Sequence, residues 1–505
     1  MGLARVLMAV MVVGLVGADP AFADSPIPAG FRVVNRTAVV PGVEHFTLER
    51  DKPPLVVNVA RIAPNAAVSL RAVLSNDAVA GPDPIVERTS SMCRRVHCLL
   101  AVNGDFAGGD DQPLGGLLTG GELLRTPSTT QLQLSIGKDG SLSAGELDWS
   151  GTLVPTDLAP LTFAGVNVVS SADGLTLYTA AYGPAVATTG AATVVSLRNI
   201  EPAGHLVVGQ TTMVEIVGLS EQPAGSIPSP IPADGGVLVG RGRAVEVLRS
   251  LWSRVQTAQV STRALLRLDA QAGVAESLGG SPILIRNGAR WFADTANDFT
   301  RGRQPRTLVG WNHAGEKLLV TVDGRQPDTS VGMTLAEAAD LLLTLGATDG
   351  TNLDGGGSTT FVAGGSVVNT PSDVAVRRGD GEAVQHIASP GQDVVGHVER
   401  PVTSALAVVP KNEVSVPPVP AQTGSASGDQ ALILAARAST DPGSVPGGGV
   451  PALVPVPAAG FGGAVRLIAV MANIVVAAAL GLLAIRRRRA GRQHPARTDD
   501  PAMAA

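Results

Sequence analysis

The sequence predicts an α+β fold: a strand-rich, mixed-sheet domain with a strand–helix–strand unit that carries the site, followed by a C-terminal transmembrane helix. Three observations support this prediction. Short runs of β-branched residues recur between residues 55 and 322, which is typical of strands. One capped helical segment, at 335–345, lies between two such runs. An apolar segment of about 19 residues, at 467–485, is close to the ~20 residues that a membrane-spanning helix needs.

The N-terminus, residues 1–23, predicts a secretory signal peptide. Arg5 precedes an apolar core at 6–16, and Ala21-Phe22-Ala23 has the small-residue form of a cleavage site. An uncleaved anchor is the alternative, although this core is short for a membrane span. In an exported protein the two cysteines, Cys93 and Cys98, are expected to form a disulfide. Two free buried thiols are the other interpretation.

The part expected to fold covers residues 24–410, divided into a strand-rich N-terminal part at 24–230 and a C-terminal part at 231–410. At roughly 150 residues per domain, two lobes or one large domain would fit. The pattern predicts one helix at 244–255 and strands at 55–62, 99–102, 193–197, 211–217 and 237–239.

The helix at 335–345 organises the predicted site. Thr334 and Glu337 have capping-box spacing, and Gly346 is a suitable stop. The flanking strands, 317–322 and 351–353, end at Asp323 and Asp354. A helical crossover usually joins parallel strands, so neighbouring strands would place both acids on one ligand-binding edge.

A hairpin brings a cation to this edge. Strand 307–311 would fold back on 317–322 about Ala314-Gly315 and place Arg306 opposite Asp323 within a residue or two. A structural ion pair between these side chains is the alternative to a catalytic role.

The acid Asp354 opens a glycine-rich segment. Glycine lets a ligand approach the backbone closely, and successive N–H groups can bind an anion. An ordinary turn would have the same composition. The candidate substrate-binding residues in this segment are Asn352, Gly355, Gly356, Gly357, Ser358 and Thr359.

The C-terminal region predicts membrane anchoring. Residues 411–463, rich in Pro, Gly and Ala, read as a stalk, 464–485 as the spanning helix, and 486–505 as a basic tail. Arginines beside a span mark its cytoplasmic side, so we expect a single-pass protein with its ectodomain outside the cell membrane. A buried core helix is the alternative.

The net charge of −5 and the 3% aromatic content argue against a nucleic-acid partner. No cofactor is required, although carboxylate oxygens at Asp323 and Asp354 would also suit a divalent cation.

Several ordered blocks resemble the phosphodiester glycosidase family over about 46–408. The blocks are Ala-Val-Asn-Gly-Asp-Phe at 101–106, Leu-Tyr-Thr at 177–179 with Tyr182-Gly183, Arg-Gln-Pro-Arg-Thr-Leu-Val-Gly at 303–310, Val-Asp-Gly-Arg at 322–325, the segment 352–361, Val-Asn-Thr-Pro-Ser-Asp at 368–373 and Glu-Arg-Pro-Val at 399–402. The chain departs from the family pattern by an insertion between Asp373 and Glu399 and by Thr403-Ser404 in place of Ala-Asn.

The resemblance implies hydrolysis of a sugar-1-phosphodiester at the glycosidic bond. The predicted stalk and anchor suggest a cell-envelope glycopolymer as the source of this sugar-phosphate substrate. Asp354 or Asp323 would act as nucleophile, base or charge stabiliser. Arg306, Arg325 and the 355–358 backbone would contact phosphate. Candidates for further substrate contacts are Asn103, Asp105 and Arg400; a tight turn is the alternative for the first two. A catalytically inactive glycan-binding module or a purely structural surface protein would share the same location.

Overall fold

The computed structural model describes residues 26–411, apart from 81–84, 128–130, 157, 170, 189, 202–203, 226–227, 257–262, 271–272, 379–380 and 386–392. The predicted signal peptide, the stalk beyond residue 411, the spanning helix and the basic tail lie outside the described residues. Among the helices in the described part, none combines the length and apolar character that crossing a bilayer requires.

Strands make up most of the regular structure. Their bounds, in chain order, are β1 (Arg32–Val40), β2 (Val43–Asp51), β3 (Pro54–Ile62), β4 (Val68–Leu74), β5 (Glu87–Arg88), β6 (Leu100–Asn103), β7 (Leu117–Thr119), β8 (Glu122–Arg125), β9 (Gln133–Gly137), β10 (Leu142–Gly145), β11 (Trp149–Pro155), β12 (Leu161–Thr162), β13 (Gly165–Val166), β14 (Gly174–Thr179), β15 (Ala185–Val186), β16 (Ala192–Arg198), β17 (Thr211–Gln222), β18 (Ser229–Pro230), β19 (Gly236–Arg241), β20 (Arg263–Ala270), β21 (Val274–Gly279), β22 (Ile283–Arg286), β23 (Ala289–Arg290), β24 (Arg306–Trp311), β25 (Lys317–Val322), β26 (Asp349–Asn352), β27 (Phe361–Ala363), β28 (Ser366–Val367), β29 (Val374–Arg378), β30 (Gly381–Gln385), β31 (Val394–His397), β32 (Pro401–Val402) and β33 (Ser404–Pro410).

The helices are fewer and shorter. They are α1 (Thr89–Arg95), α2 (Arg243–Gln256), α3 (Asp298–Arg301) and α4 (Leu335–Thr344), with 3-10 turns at Ser75–Asp77, Ala180–Tyr182 and Gly356–Ser358. The α+β, strand-rich prediction is therefore confirmed for the described part, and the predicted helices at 244–255 and 335–345 correspond to α2 and α4.

Two large sheets and one smaller sheet define the scaffold. The first runs β1-β2-β3-β25-β24-β26-β22-β23, and the second runs β12-β11-β20-β17-β16-β19-β14-β13. A five-stranded sheet in the order β28-β27-β6-β33-β4 carries one wall of the site described below. The remaining sheets are β10-β9-β21-β7-β8, β30-β29-β31, β15-β18 and β32-β5.

The helix α4 begins as its sequence predicts. The Thr334 hydroxyl accepts a hydrogen bond from the Glu337 backbone N–H, and the Glu337 carboxylate accepts one from the Thr334 N–H. Its buried face, which includes Leu335, Ala338 and Leu342, packs in one hydrophobic cluster with Leu308 and Val320 of the first sheet. The helix therefore covers the strands that lead to the predicted acids.

The expected neighbour relation between the two flanking strands is wrong. Strands β25 and β26 both pair antiparallel with β24, so they run parallel to each other but with β24 between them. Two strand spacings separate them, roughly 10 Å. The cause is the β24–β25 hairpin, whose first strand takes the central position. The hairpin register itself is confirmed, because Arg306 pairs with Val322, the residue before Asp323.

Strand β33 is an interior strand of the five-stranded sheet, between β6 and the edge strand β4. It pairs antiparallel with β6 on one side and with β4 on the other. Its apolar residues are fully or almost fully buried, including Leu406 and Val408. Its first residue, Ser404, lies beside the end of β6, and this is where the site opens.

Candidate active site

A cleft of about 750 Å³ opens where β6 ends and β33 begins. Its polar lining combines acids with arginines, whereas several apolar residues form the rest of the wall. The lining residues are Val86, Arg88, Asp105, Phe106, Ala107, Asp111, Leu114, Asp354, Ser358, Asp373, Val398, Glu399, Arg400, Pro401, Val402 and Thr403. Of the predicted site residues, the cleft brings together Asp105, Asp354, Ser358 and Arg400.

Asp105 is a buried acid on the loop that follows β6. Its two carboxyl oxygens accept hydrogen bonds from the N–H groups of Phe106, at 2.7 Å, and Gly115, at 2.6 Å. Burial raises the pKa of Asp105 to about 7, against the lowering effect of these two N–H donors, and the nearby charge of Asp354 raises it further. This carboxyl group therefore exchanges its proton near neutral pH.

Asp354 follows β26 and faces the same cleft. Its backbone N–H donates to the Gly104 carbonyl at 3.0 Å, and its carboxylate accepts from the Gly355 N–H at 2.9 Å. Burial raises its pKa, while hydrogen bonds from the Ser358 hydroxyl and the Gly355 N–H and the charge of Arg400 oppose the rise. Asp354 thus has a hydroxyl donor and the Arg400 cation nearby, whereas Asp105 is bonded by two backbone N–H groups, so the two acids differ in environment.

Arg400 supplies the cation at the cleft. Its guanidinium donates two parallel hydrogen bonds to Asp373, each of 2.8 Å. Asp373 is almost fully buried, and the Arg400 side chain is about one-third exposed. A fork of this kind fixes the guanidinium plane, and a guanidinium is a strong ligand for phosphate. The backbone of Gly357 lies so close that a methyl group there would overlap both side chains.

The Gly355–Ser358 backbone has fewer N–H groups available to bind an anion than the sequence predicts. The N–H of Gly356 donates to the Pro305 carbonyl and that of Ser358 to the Gly355 carbonyl, while Gly355 donates to Asp354. Three of these four N–H groups are thus used within the protein. The glycines mainly allow close approach of side chains, since Arg325 contacts the loop at Gly356 and Arg400 at Gly357.

Arg325 and Thr359 stand outside the residues that line the cleft. The Arg325 Nε donates to the Gln304 side chain at 2.9 Å, and burial followed by the charge of Arg400 lowers the pKa of Arg325. Thr359 is buried, and its carbonyl accepts from the Asn369 side chain. Their predicted substrate contacts stay predictions.

Asp323 and Arg306 lie away from the cleft, contrary to the predicted pairing with Asp354. The Asp323 carboxylate accepts from the Asn369 side chain and the Thr370 N–H, both at 3.0 Å, and burial raises its pKa to about 6. Arg306 is buried, and its guanidinium donates to the carbonyls of Met333, Phe299 and Gly302. The alternative ion pair between Arg306 and Asp323 is absent among the described residues. The inserted strand β24 and these local partners explain both corrections.

Asn103 and Asn352 are internal rather than substrate-facing. The Asn103 amide accepts from the Thr307 hydroxyl and the Thr360 N–H, and it donates to the Asp354 carbonyl at 2.7 Å. Asn352 donates to the carbonyls of Ser281 and Leu353. Both are at least 99% buried. Asn103 thus holds the Asp354 loop against β6, which is a positioning contact.

A disulfide-braced helix supports the far wall of the cleft. The Glu399 carboxylate accepts from the N–H and the hydroxyl of Ser90, at 2.7 and 2.6 Å, in the first turn of α1. The predicted disulfide between Cys93 and Cys98 is present and closes the end of this helix. Within the described part of the chain, no three His, Cys, Asp or Glu side chains are grouped to hold a metal ion.

Residues 207–409 match the phosphodiester glycosidase family. That match confirms the predicted family resemblance. The phosphodiester glycosidase match includes Asp354, Asp373 and Arg400, whereas Asp105 precedes it. Over 119 residues the chain is 34% identical to N-acetylglucosamine-1-phosphodiester alpha-N-acetylglucosaminidase of Bos taurus and 31% identical to that of Homo sapiens. The alignments cover 21% of this chain and 22% and 23% of these relatives, about a fifth of their length.

Two solved structures share the fold. A hypothetical protein from Synechocystis superposes with a TM-score of 0.52 at 20% identity and covers 76% of this chain and 68% of that one. A protein from Burkholderia pseudomallei K96243 has a TM-score of 0.50 at 24% identity, covering 71% of this chain and 74% of that one. At these identities the likeness concerns the fold alone.

Sequence reasoning identified four residues of the cleft and missed the others, among them Phe106, Asp373 and Glu399. Asp373 and Glu399 stand in the blocks 368–373 and 399–402 that carry the family resemblance, so their acidic character was an available signal. Phe106 follows Asp105 directly. Nothing in its spacing distinguishes a cleft-lining ring from a core ring.

Proposed function

We propose that this protein is a hydrolase that cleaves the glycosidic C–O bond of a sugar-1-phosphodiester. The observation that carries the proposal is the shared cleft of Asp105, Asp354 and Arg400. Most glycoside hydrolases use two carboxyl groups in different environments, and a guanidinium is a strong phosphate ligand. The match to the phosphodiester glycosidases supports the same reaction class.

Asp354 acts as the ionised carboxylate. The Gly355 N–H, the Ser358 hydroxyl and the charge of Arg400 favour its negative form. In this state it stabilises the positive charge that develops at the anomeric carbon as the C–O bond breaks. The electron pair of that bond stays on the departing phosphate oxygen.

Asp105 acts as the proton donor. Each of its oxygens accepts one N–H hydrogen bond, which leaves a lone pair on each for a proton. It protonates the departing phosphate oxygen, and a water molecule then adds to the anomeric carbon and returns a proton to the acid pair. A phosphomonoester is a good leaving group, since its second pKa is about 6, so this help is modest.

Arg400 binds the phosphate. Its position is fixed by Asp373, so little side-chain entropy is lost when the substrate binds. The remaining expectations from the sequence belong to the same proposal: export through the signal at 1–23, a single-pass anchor at 464–485 with the ectodomain outside the cell, and a cell-envelope glycopolymer as the source of the sugar-phosphate.

The test is release of free sugar from a panel of sugar-1-phosphodiesters by the purified full chain. Asp354→Asn should lower kcat by roughly a hundred- to ten-thousand-fold, because a neutral amide cannot stabilise the developing cation. Circular dichroism checks that the variant is folded. Asp349→Asn is the matched control: this acid begins β26, the strand that Asp354 follows, but it accepts from the Thr348 hydroxyl and the Asn287 N–H, outside the cleft.

Equal sugar release by wild type and Asp354→Asn would refute the assignment. Binding of glycans without turnover of any phosphodiester would instead favour a catalytically inactive glycan-binding module. Asp323→Asn separates the two acids, because a folded Asp323→Asn protein should still release sugar, although it loses the bonds to Asn369 and Thr370.

A further inference from the structure

An aromatic pair stands at the edge of the cleft. Phe106 lines the cleft, and its ring centroid lies 6.2 Å from that of Phe299, with the planes tilted by 60°. Phe299 is 43% exposed, although it is a large apolar side chain. Phe299 does not itself line the cleft, but the folded protein keeps its ring open to solvent beside Phe106, which does.

Arg306 holds this open ring in place. Its Nη2 atom donates to the carbonyls of Phe299, at 2.7 Å, and Gly302, at 3.0 Å, and its Cζ lies 5.4 Å from the centroid of the Phe299 ring. Burial lowers the pKa of this guanidinium to about 10, which still leaves it charged at neutral pH. A buried cation that binds three carbonyls fixes the short helix α3, and with it the position of the ring.

The charges of the cleft indicate which part of a substrate would meet these rings. Arg400, with its carboxylate partner Asp373, marks the end that suits a phosphate. Phe106 is on the loop after β6, beside Asp105, and carries no charge. A sugar ring has an apolar face of C–H groups, and stacking that face on an aromatic ring removes both from water.

We propose that Phe106 and Phe299 form the subsite for the sugar ring, with Arg306 as the positioning residue behind them. The proposal rests on the proposed function, because it assigns the sugar half of a sugar-1-phosphodiester to one side of the acids and the phosphate half to the other. It gives Arg306 a role that differs from the catalytic role predicted from the sequence.

The experiment compares kcat and KM for sugar-1-phosphodiester hydrolysis by the full chain. Phe299→Ala should raise KM roughly three- to tenfold with kcat nearly unchanged, because stacking acts equally on the bound substrate and on the transition state. Phe299→Tyr keeps an aromatic face and should restore KM. A purely structural role would lower the folded fraction and kcat instead.

Trp291→Ala is the matched control. Trp291 is also an exposed aromatic residue, 57% exposed, and it also lies against a guanidinium, 4.7 Å from the Cζ of Arg286. Unlike Phe299, it has no ring contact with Phe106 of the cleft among the described residues. It should leave KM unchanged. An equal rise in KM for Trp291→Ala and Phe299→Ala, or no rise for Phe299→Ala, would overturn the subsite.

A second readout separates this proposal from the proposed function. If the wild-type chain cleaves no sugar-1-phosphodiester, saturation-transfer NMR with free N-acetylglucosamine and glucose still reports on the subsite. Transfer to the C–H protons of either sugar in the wild type, lost in Phe299→Ala and kept in Trp291→Ala, would support the subsite without the reaction. No transfer in an inactive wild type would reject both.

Discussion

Asp105 needs its proton to act as a general acid. Burial raises its pKa to about 7, so the protonated form decreases as the pH rises through neutrality. We therefore expect kcat to fall on the alkaline side, with a midpoint near pH 7. Asp105→Asn has no proton to donate, so its residual kcat should lack this alkaline limb. The measurement is a pH–rate profile between pH 5 and about 9, with Asp349→Asn as the control that keeps it.

At the scale of residues, the identity of the cleft residues was predicted better from the sequence than the direction of their side chains. Asp354, Asp105 and Arg400 were all candidates, and all three line the cleft. Arg306 and Asp323 were placed at the correct edge of the sheet, but their side chains bond to carbonyls and to amide donors. Side-chain direction depends on distant partners such as Met333 and Thr370, which local sequence patterns do not reveal.

At the scale of elements, the turn Gly356–Ser358 determines how much space the Arg400 guanidinium has beside the cleft. A methyl group at residue 357 would overlap the Arg400 guanidinium and the Asp373 carboxylate. Gly357→Ala should therefore displace this ion pair and raise KM for the phosphodiester, while the protein remains folded. Gly109→Ala is the control, since a methyl group there meets open space. Unchanged KM in Gly357→Ala would contradict the assignment of Arg400 to phosphate.

Elements with local signals were predicted well. The caps of α4 and the register of the β24–β25 hairpin depend on residues close in sequence, and both are confirmed. The order of strands in the sheet was not predicted correctly. Whether β24 or β26 lies beside β25 is decided by non-local pairing and by the packing of α4, and periodicity carries no information on either.

At the scale of the whole molecule, buried acids make stability depend on pH. Burial raises the pKa of Asp105 and of Glu276 to about 7 and that of Asp323 to about 6, whereas the unfolded chain releases these protons near pH 4. Between these limits the folded state binds more protons, so the unfolding free energy should fall as the pH rises from about 4 to 7.

Urea denaturation of the wild type across this range measures the effect. Glu276→Gln should reduce the slope, because burial raises the pKa of the Glu276 carboxyl and glutamine does not titrate. Glu276 is not among the residues that line the catalytic cleft. Gln222→Ala, at the partly exposed end of β17, changes no titratable group and should leave the slope as it is. A free energy of unfolding that rises over the same range would show that these acids are ionised in the folded protein.

Strand β33 would bear tension applied to the C-terminal end of the described residues. Its first residue, Ser404, accepts hydrogen bonds from the N–H groups of Gly104 and Asp105, and its last, Pro410, lies about 20 Å away at ~3.4 Å per residue. Tension applied to the chain beyond Lys411 would act along β33 and load its two antiparallel ladders in shear. Many hydrogen bonds would then resist together, and Asp105, which bonds to the first residue of β33, would keep its position in the cleft.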